Sequence, residues 1–211
     1  PSDRPFFVFG SFCSPHKPMD PPARYLDLVP YEEEMDFIPG PEPISVEDAT
    51  HLFRLRRAYK AMIRLLDEQV GRIFRALEEE GILDETVVLF SSDHGEMMGD
   101  HGLIQKQSWY RGSVTVPAAI RHPRYPGRRL NASPVEITDL TATILDLAGL
   151  DPAAALSKSW PAFHDRVPCR SLMPIVRGEV DAVREFGFSE CDGKWMMVQD
   201  SRWKYVRMLA Y

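Results

Sequence analysis

A short apolar run, Val87-Val88-Leu89-Phe90, breaks into Ser-Ser-Asp-His-Gly, and this junction constrains the chain more than any other stretch. The run is β-branched at its start and bounded by polar residues, which predicts a buried strand. Behind it lies a loop with Gly95, Gly99 and Gly102. That loop also carries Glu96, Asp100, His101 and Lys106, before a second apolar run from Val114 to Ile120 predicts another strand. Open α/β sheets place ligand chemistry just outside the carboxyl ends of their strands. A carboxylate, an imidazole and a lysine gathered there predict a site for a metal and an anion.

The rest of the sequence supplies the frame. With 211 residues the chain suffices for one domain with a full core, or for one domain with a small appendage. A formal net charge of -6 argues against a general nucleic-acid binder, although a local Lys/His pocket still attracts an anion. No apolar run approaches the roughly 20 residues that span a bilayer. The three cysteines, Cys13, Cys169 and Cys191, are too scattered for a disulfide framework and read as separate thiols.

Taken in order, Phe6 to Phe12 is apolar on both parities, which predicts a strand buried on both faces. It runs into Ser14-Pro15-His16-Lys17-Pro18, a proline-fixed turn that presents His16 and Lys17 at the strand's exit. Met19 to Pro43 reads as a long surface loop around an acidic run, Glu32 to Glu34. Ser45 with Asp48 forms a capping-box start for the longest helix, and Leu52, Leu55, Tyr59, Met62, Leu66, Val70, Ile73 and Leu77 make one apolar stripe along it. Gly81 ends it, and the strand that follows at once predicts a crossover helix packed on a sheet. Thr138-Asp139 opens a later helix with Leu140, Ile144, Leu147 and Ala148 on one face, closed by Gly149. From Asp151 to Pro168 the composition turns to Ala, Pro and Ser, which places a boundary there. Beyond it, Glu185–Glu190, Trp195–Gln199 and Arg202–Arg207 read as short strands joined by turns at Asp192-Gly193 and Asp200-Ser201. The expected organisation is a partial α/β core over 1–150, then a linker and small antiparallel sheet over 151–211.

Asp93 beside His94 at a strand end lets a carboxylate and an imidazole converge on one ion. That donor pair suits Zn, Mn or Fe, while Ca and Mg prefer oxygen. Two ligands are not a full set, and an Asp-His-Gly of this kind is more often a turn with a satisfied Asp. The neighbours strengthen the site reading: Lys106 offers a point charge for a sulfate or phosphate oxygen. His16 and His101 could each bind an anion or protonate a leaving group.

Residues 88–103, Val-Leu-Phe-Ser-Ser-Asp-His-Gly-Glu-Met-Met-Gly-Asp-His-Gly-Leu, followed by Lys106, Tyr110 and Val116-Pro117, resemble the sulfatase family of the alkaline-phosphatase superfamily. Phe6 to Phe12 with Pro15-His16-Lys17-Pro18 resembles the family's strand and Pro-His-x-Pro turn. Tyr59 through Asp84 resembles the helix before the metal strand, and Ile137-Thr138-Asp139-Leu140 through Gly149 its later helix. Arg170-Ser171-Leu172-Met173-Pro174 with Arg177-Gly178-Glu179 resembles the link to the C-terminal subdomain.

The resemblance implies an alkaline-phosphatase-like α/β core and a sulfuric ester hydrolase acting on a small sulfate or phosphate ester. It makes Asp93 and His94 metal ligands, Lys106 and His16 sulfate-binding residues, and His16 and His101 the side chains directed at the substrate. The implied cofactor is a divalent metal, calcium foremost, with Mg, Mn or Zn as alternatives, which activates a formylglycine nucleophile. The family's Cys/Ser-x-Pro/Ala-x-Arg motif and its Asp-Asp metal pair are absent from these residues, and Arg111 stands where many members have Glu. The expectation is therefore a C-terminal portion of such a hydrolase, inactive alone because nucleophile activation needs residues it lacks. The alternatives are a phosphodiesterase or phosphonate monoester hydrolase of the same superfamily, or a non-catalytic module that keeps the fold for binding.

Overall fold

The computed structural model describes residues 4–30, 37–42, 45–159 and 168–209, with the backbone alone at 46, 158 and 159. It forms two compact units, Pro1–Thr86 with Glu96–Gln105, and Val87–Gly95 with Lys106–Tyr211. Position 150, the boundary expected from composition, falls inside the second unit. The acidic run Glu32 to Glu34 lies outside the described residues.

The first unit is helical. Its main element is α2, Val46–Glu79, of 34 residues, preceded by the short α1, Ala23–Leu26. Ser45 caps α2 as expected: its side chain accepts the Asp48 N–H at 3.0 Å, satisfying one of the orphan donors of the first turn. Gly81 follows the helix at φ 69°, the left-handed conformation that ends it without a Cβ penalty. Of the predicted stripe, Leu52 and Met62 are buried, whereas Ile73 is 46% exposed. Ala61, outside that stripe, is fully buried against Tyr25 and Val29 of the α1 region. This helix thus packs on another helix near its middle, at residues that the long loop of the sequence reading supplies. Tyr25 is fixed by donating to Glu68 at 2.9 Å, and Arg57 donates to the carbonyls of Leu26 and Val29, both at 2.9 Å.

Phe6 to Phe12 is not a strand. Among the described residues no strand lies in the first unit, and Phe6, Phe7, Val8 and Phe9 are 57, 69, 76 and 79% exposed. An extended segment becomes a strand only when a neighbour takes its N–H and C=O groups, and hydrophobicity alone does not supply one.

The second unit holds all the described strands. β1, Val88–Ser91, pairs antiparallel with β2, Ala118–Arg121, in a two-stranded sheet with Val88 opposite Arg121 and Ser91 opposite Ala118. β1 is half-buried rather than enclosed, with Phe90 39% exposed. The strand expected from Val114 begins only at Ala118, because Arg111–Val114 turns into a single helical turn, α3, before the chain straightens.

Helix α4, Thr138–Leu147, starts where expected and ends with Gly149 at φ 76°. Its buried face is Asp139, Ala142 and Thr143, not the Leu140/Ile144/Leu147/Ala148 face. The stretch read as a linker contains α5, Pro152–Ser159, whose Leu156 is buried with Ala142 of α4 and Cys169. After the short α6, Met173–Arg177, come β3 Gly187–Cys191, β4 Trp195–Gln199 and β5 Lys204–Met208, an antiparallel sheet in that order. The β3–β4 turn has Asp192 at φ 35° and Gly193 at φ 69°, the doubly left-handed geometry of a type I′ hairpin. The three cysteines are free thiols.

A buried ionic network locks α4 to the segment that leads into β3. Asp139, fully buried, accepts the backbone N–H groups of Glu136 and Arg170, each at 2.8 Å, and both carboxylate oxygens receive the Arg184 guanidinium. Arg184 also donates to Glu136 at 2.6 Å and to the Pro168 carbonyl at 2.9 Å, and Glu136 accepts the Phe188 N–H at 2.9 Å. Every lone pair of a buried carboxylate is thereby occupied, which is the condition for tolerating such a charge.

Candidate functional site

Asp93 and His94 leave the end of β1 in a turn that packing dictates. Gly95 donates its N–H to Ser113 of α3 at 2.7 Å, and a Cβ at Gly95 would stand 2.1 Å from the Gly112 carbonyl oxygen. Only glycine allows that approach, so the third residue of the Asp-His-Gly triplet is a steric requirement. The close approach pins the two residues before it.

Their side chains converge. Asp93 Oδ1 accepts the His94 N–H at 3.0 Å, and Asp93 Oδ2 lies 3.5 Å from His94 Nε2. His94 Nδ1 sits 2.8 Å from the Gly95 carbonyl oxygen. A carbonyl only accepts, so Nδ1 carries a proton; Nε2, on the side of Asp93, then presents a lone pair in the neutral ring and a second N–H in the cationic one. This tie from one ring nitrogen to a carbonyl is the arrangement that orients a histidine as a metal ligand. Two donors each about 2.0–2.4 Å from a common ion lie roughly 3–3.5 Å apart, so the observed spacing suits one shared cation. The Asp93 side chain is 83% exposed and that of His94 35%, open to an ion from solvent. Partial desolvation pushes the Asp93 carboxyl up, but the His94 charge and hydrogen bonds from backbone N–H groups and Ser92 outweigh it. The carboxyl is held below its ordinary range. Among the described residues no group of three or more His, Cys, Asp or Glu side chains forms a metal cluster, so the pair is a partial donor set.

Lys106 belongs to the same unit and opens a loop whose backbone is held from below. Gln107 takes φ 86°, uncommon for a residue with a Cβ. The Gln107 carbonyl accepts the Trp195 indole N–H at 3.0 Å, and the Trp109 carbonyl accepts Lys204 Nζ at 2.9 Å. Burial and the neighbouring Arg111 charge lower the Lys204 ammonium from its ordinary value. Arg111, the residue that replaces Glu, is exposed and begins α3.

His16 and His101 belong to the first unit. The His16 backbone N–H donates to Cys13 at 2.9 Å, closing the proline turn, and its Nδ1 donates to the Lys17 carbonyl at 2.8 Å. Chemistry at this exposed ring therefore falls to Nε2. His101 sits at φ 57° in a 3-10 turn, Asp100–Gly102, with its N–H donating to Ile38 at 2.7 Å. A Cβ on Gly40 would come 2.6 Å from the His101 carbonyl oxygen, so a second glycine makes room for this turn.

What holds the His101 loop escaped the sequence reading. Arg56 of α2 donates to Asp100 Oδ1 at 2.7 Å and to the Met98 carbonyl at 2.7 Å, and its guanidinium lies 4.1 Å from the centre of the Phe37 ring. Glu96 closes the loop's other end by accepting the N–H groups of Met97 and Gln105. Burial and the Glu96 charge push the Tyr59 hydroxyl of α2 up. A charged residue on the flank of the α2 stripe was the available signal, and Arg56 looks there like any solvated helix cation.

These features can be set beside known proteins. The Sulfatase family model matches residues 1–150. The choline-sulfatase of Rhizobium meliloti (strain 1021) is 32% identical over 97% of this chain and 42% of its own length. The arylsulfatase of Clostridium perfringens (strain 13 / Type A) is 36% identical over 69% of this chain and 34% of its own. Among solved structures, the phosphonate monoester hydrolase of Agrobacterium radiobacter superposes with a TM-score of 0.77 at 26% identity, over 98% of this chain and 49% of that one. The chain thus spans less than half the length of each of these proteins. The sulfatase-like fold expected from the resemblance is met, and the chain belongs to the sulfatase family.

Proposed function

We propose that this chain carries part of the metal-and-anion site of a hydrolase that cleaves sulfate esters. The observation that carries the reading is the Asp93–His94 pair: Oδ2 and Nε2 are 3.5 Å apart and the imidazole tautomer is fixed by the Gly95 carbonyl, in a chain of the sulfatase family. Asp93 and His94 would hold a divalent cation, calcium by family resemblance, with further donors from outside this chain's own set. Such an ion, when bound, supplies Lewis-acid charge at the reacting centre.

The remaining roles fall to side chains. Lys106 pairs its ammonium with the anionic oxygens of the ester, which lowers the cost of bringing a nucleophile to a negatively charged group. His16, through Nε2, acts on the sulfate or the leaving-group oxygen, and His101 is the second substrate-directed histidine of this reading. The nucleophile is the formylglycine that the resemblance implies. Its motif is not among these residues, so this chain alone is expected to leave aryl sulfates intact.

The test uses the enzyme that contains this chain, assayed on an aryl sulfate before and after chelation. Asp93→Asn and His94→Gln should each weaken metal retention, read by elemental analysis, by more than the roughly 10–100-fold that losing a ligand's supporting partner costs. Lys106→Ala should raise KM for the sulfate ester. Full metal content in both ligand variants would refute the assignment.

A second reading is favoured by one observation, the 0.77 TM-score to a phosphonate monoester hydrolase over 98% of the chain. Sulfate, phosphate and phosphonate esters present similar tetrahedral anions to a lysine. Comparing kcat/KM for matched aryl sulfate, phosphate diester and phosphonate substrates separates the readings by which is highest.

A further inference from the structure

We propose that the C-terminal sheet is a positioning device for the anion-binding lysine, with Trp195 and Lys204 as positioning residues for Lys106. This rests on the role given to Lys106 above.

Lys106 is a flexible side chain, so where its ammonium can reach depends on how its backbone is anchored. The residue after it, Gln107, is left-handed at φ 86°, and such a conformation persists only where the surroundings over-determine it. The surroundings here are β4 and β5. Trp195, 3% exposed, spends its single N–H on the Gln107 carbonyl at 3.0 Å, and the adjacent Lys194 donates to Gln107 Oε1 at 3.2 Å. Lys204 Nζ takes the Trp109 carbonyl at 2.9 Å, and the Trp109 ring stands edge-on to Trp195 with centroids 6.2 Å apart. Two carbonyls just beyond Lys106 are therefore held by side chains from neighbouring strands of one sheet, β4 being paired with β5.

A buried indole needs an acceptor, and many carbonyls could have served. Both of these polar contacts instead end on the main chain of the same short loop. Burial of Trp195 and Met197 on the same face makes the sheet a rigid base for that loop. Geometry set by a supporting layer is what substrate-positioning charges require, since displacement of about 1 Å is enough to cost large factors in rate.

The experiment uses the enzyme that contains this chain, an aryl sulfate substrate and inorganic sulfate as the competing probe. Trp195→Phe keeps an aromatic ring and removes the pyrrole portion with its N–H; Lys204→Met keeps the stem and removes the charge. Each should lower kcat/KM for the aryl sulfate and raise the inhibition constant for sulfate, both roughly tenfold. In a Lys106→Ala background both should lose that effect. Met197→Leu, a packing change in the same sheet, should leave sulfate inhibition unchanged. The proposal is overturned if Lys106→Ala weakens sulfate inhibition while Trp195→Phe and Lys204→Met do not, or if their effects add in full to that of Lys106→Ala. If Trp195→Phe fails to fold, Lys204→Met decides alone. Unchanged sulfate inhibition in Lys106→Ala would instead remove the role of Lys106 itself, and this inference with it.

Discussion

Two segments of this chain share one plan: an apolar run, then a turn that presents a histidine. In Val87 to Gly95 the run becomes β1, paired residue for residue with β2, and Gly95 is wedged against Gly112 so that His94 and Asp93 have one geometry. In Phe6 to Pro18 the run pairs with no strand among the described residues, with Val8 76% exposed, and His16 is bonded to Cys13 and Lys17, both close by in the chain. The difference lies in partners, not in composition. An apolar pattern specifies that a segment would gain by being covered; the hydrogen-bonding neighbour decides whether it is a strand.

The packed side of the comparison can be undermined at its support. Arg184→Met strands the buried carboxylate of Asp139, whose side chain has no exposure. It should cost about 3–5 kcal/mol in denaturant unfolding, with a native-like m-value in any folded remainder. An effect under about 1 kcal/mol would mean that the network is not buried in solution.

The two glycines sharpen it next. Gly95→Ala forces a methyl to within 2.1 Å of the Gly112 oxygen and should destabilise the second unit by about 3 kcal/mol. Gly10→Ala meets nothing within 4 Å and should change stability by less than about 0.5 kcal/mol. Equal effects from the two would erase the distinction.

Smaller differences concern pH and exchange. Burial, with the charges of Arg124 and Arg177, lowers the pKa of His122, which follows β2. A depressed folded-state pKa means the unfolded chain takes up the proton first. Stability of the second unit should therefore hold above about pH 6.5 and decline as pH falls below it, and His122→Gln should flatten that slope in a melting series. The smallest perturbation is isotopic: in hydrogen exchange, the paired amides of β1 should be protected while those of Phe6 to Phe9 exchange at rates near those of an unfolded chain.

Much of this was legible from residues alone. The Ser45 cap, the Gly81 and Gly149 terminators, the Asp192-Gly193 hairpin and the three C-terminal strands are encoded locally, in propensities that tertiary context leaves alone. The Asp93–His94 pair was legible because two donors adjacent in sequence at a strand exit have little freedom to diverge. What escaped was set by distant partners. Asp139 reads as a helix-start carboxylate, and nothing nearby announces that Arg184 will bury it. The α4 face was misjudged for that reason: Asp139 is fully buried, whereas Leu140, Ile144 and Leu147 are only half-buried. Trp195 and Lys204 read as ordinary strand residues, and their acceptors lie far back along the chain.

The Arg184–Asp139 link also bears on synthesis. The two residues are 45 positions apart, so Asp139 emerges from the ribosome before its counter-charge does. At roughly 5–20 residues per second the interval is about 2–9 s. During it α4 has a carboxylate that cannot yet be buried, and it therefore stays in water while the chain grows. Locking of this region is thus timed to the emergence of the segment that leads into β3. A premature hydrophobic burial of α4 on the nascent chain is discouraged by the same charge that later fixes it in place.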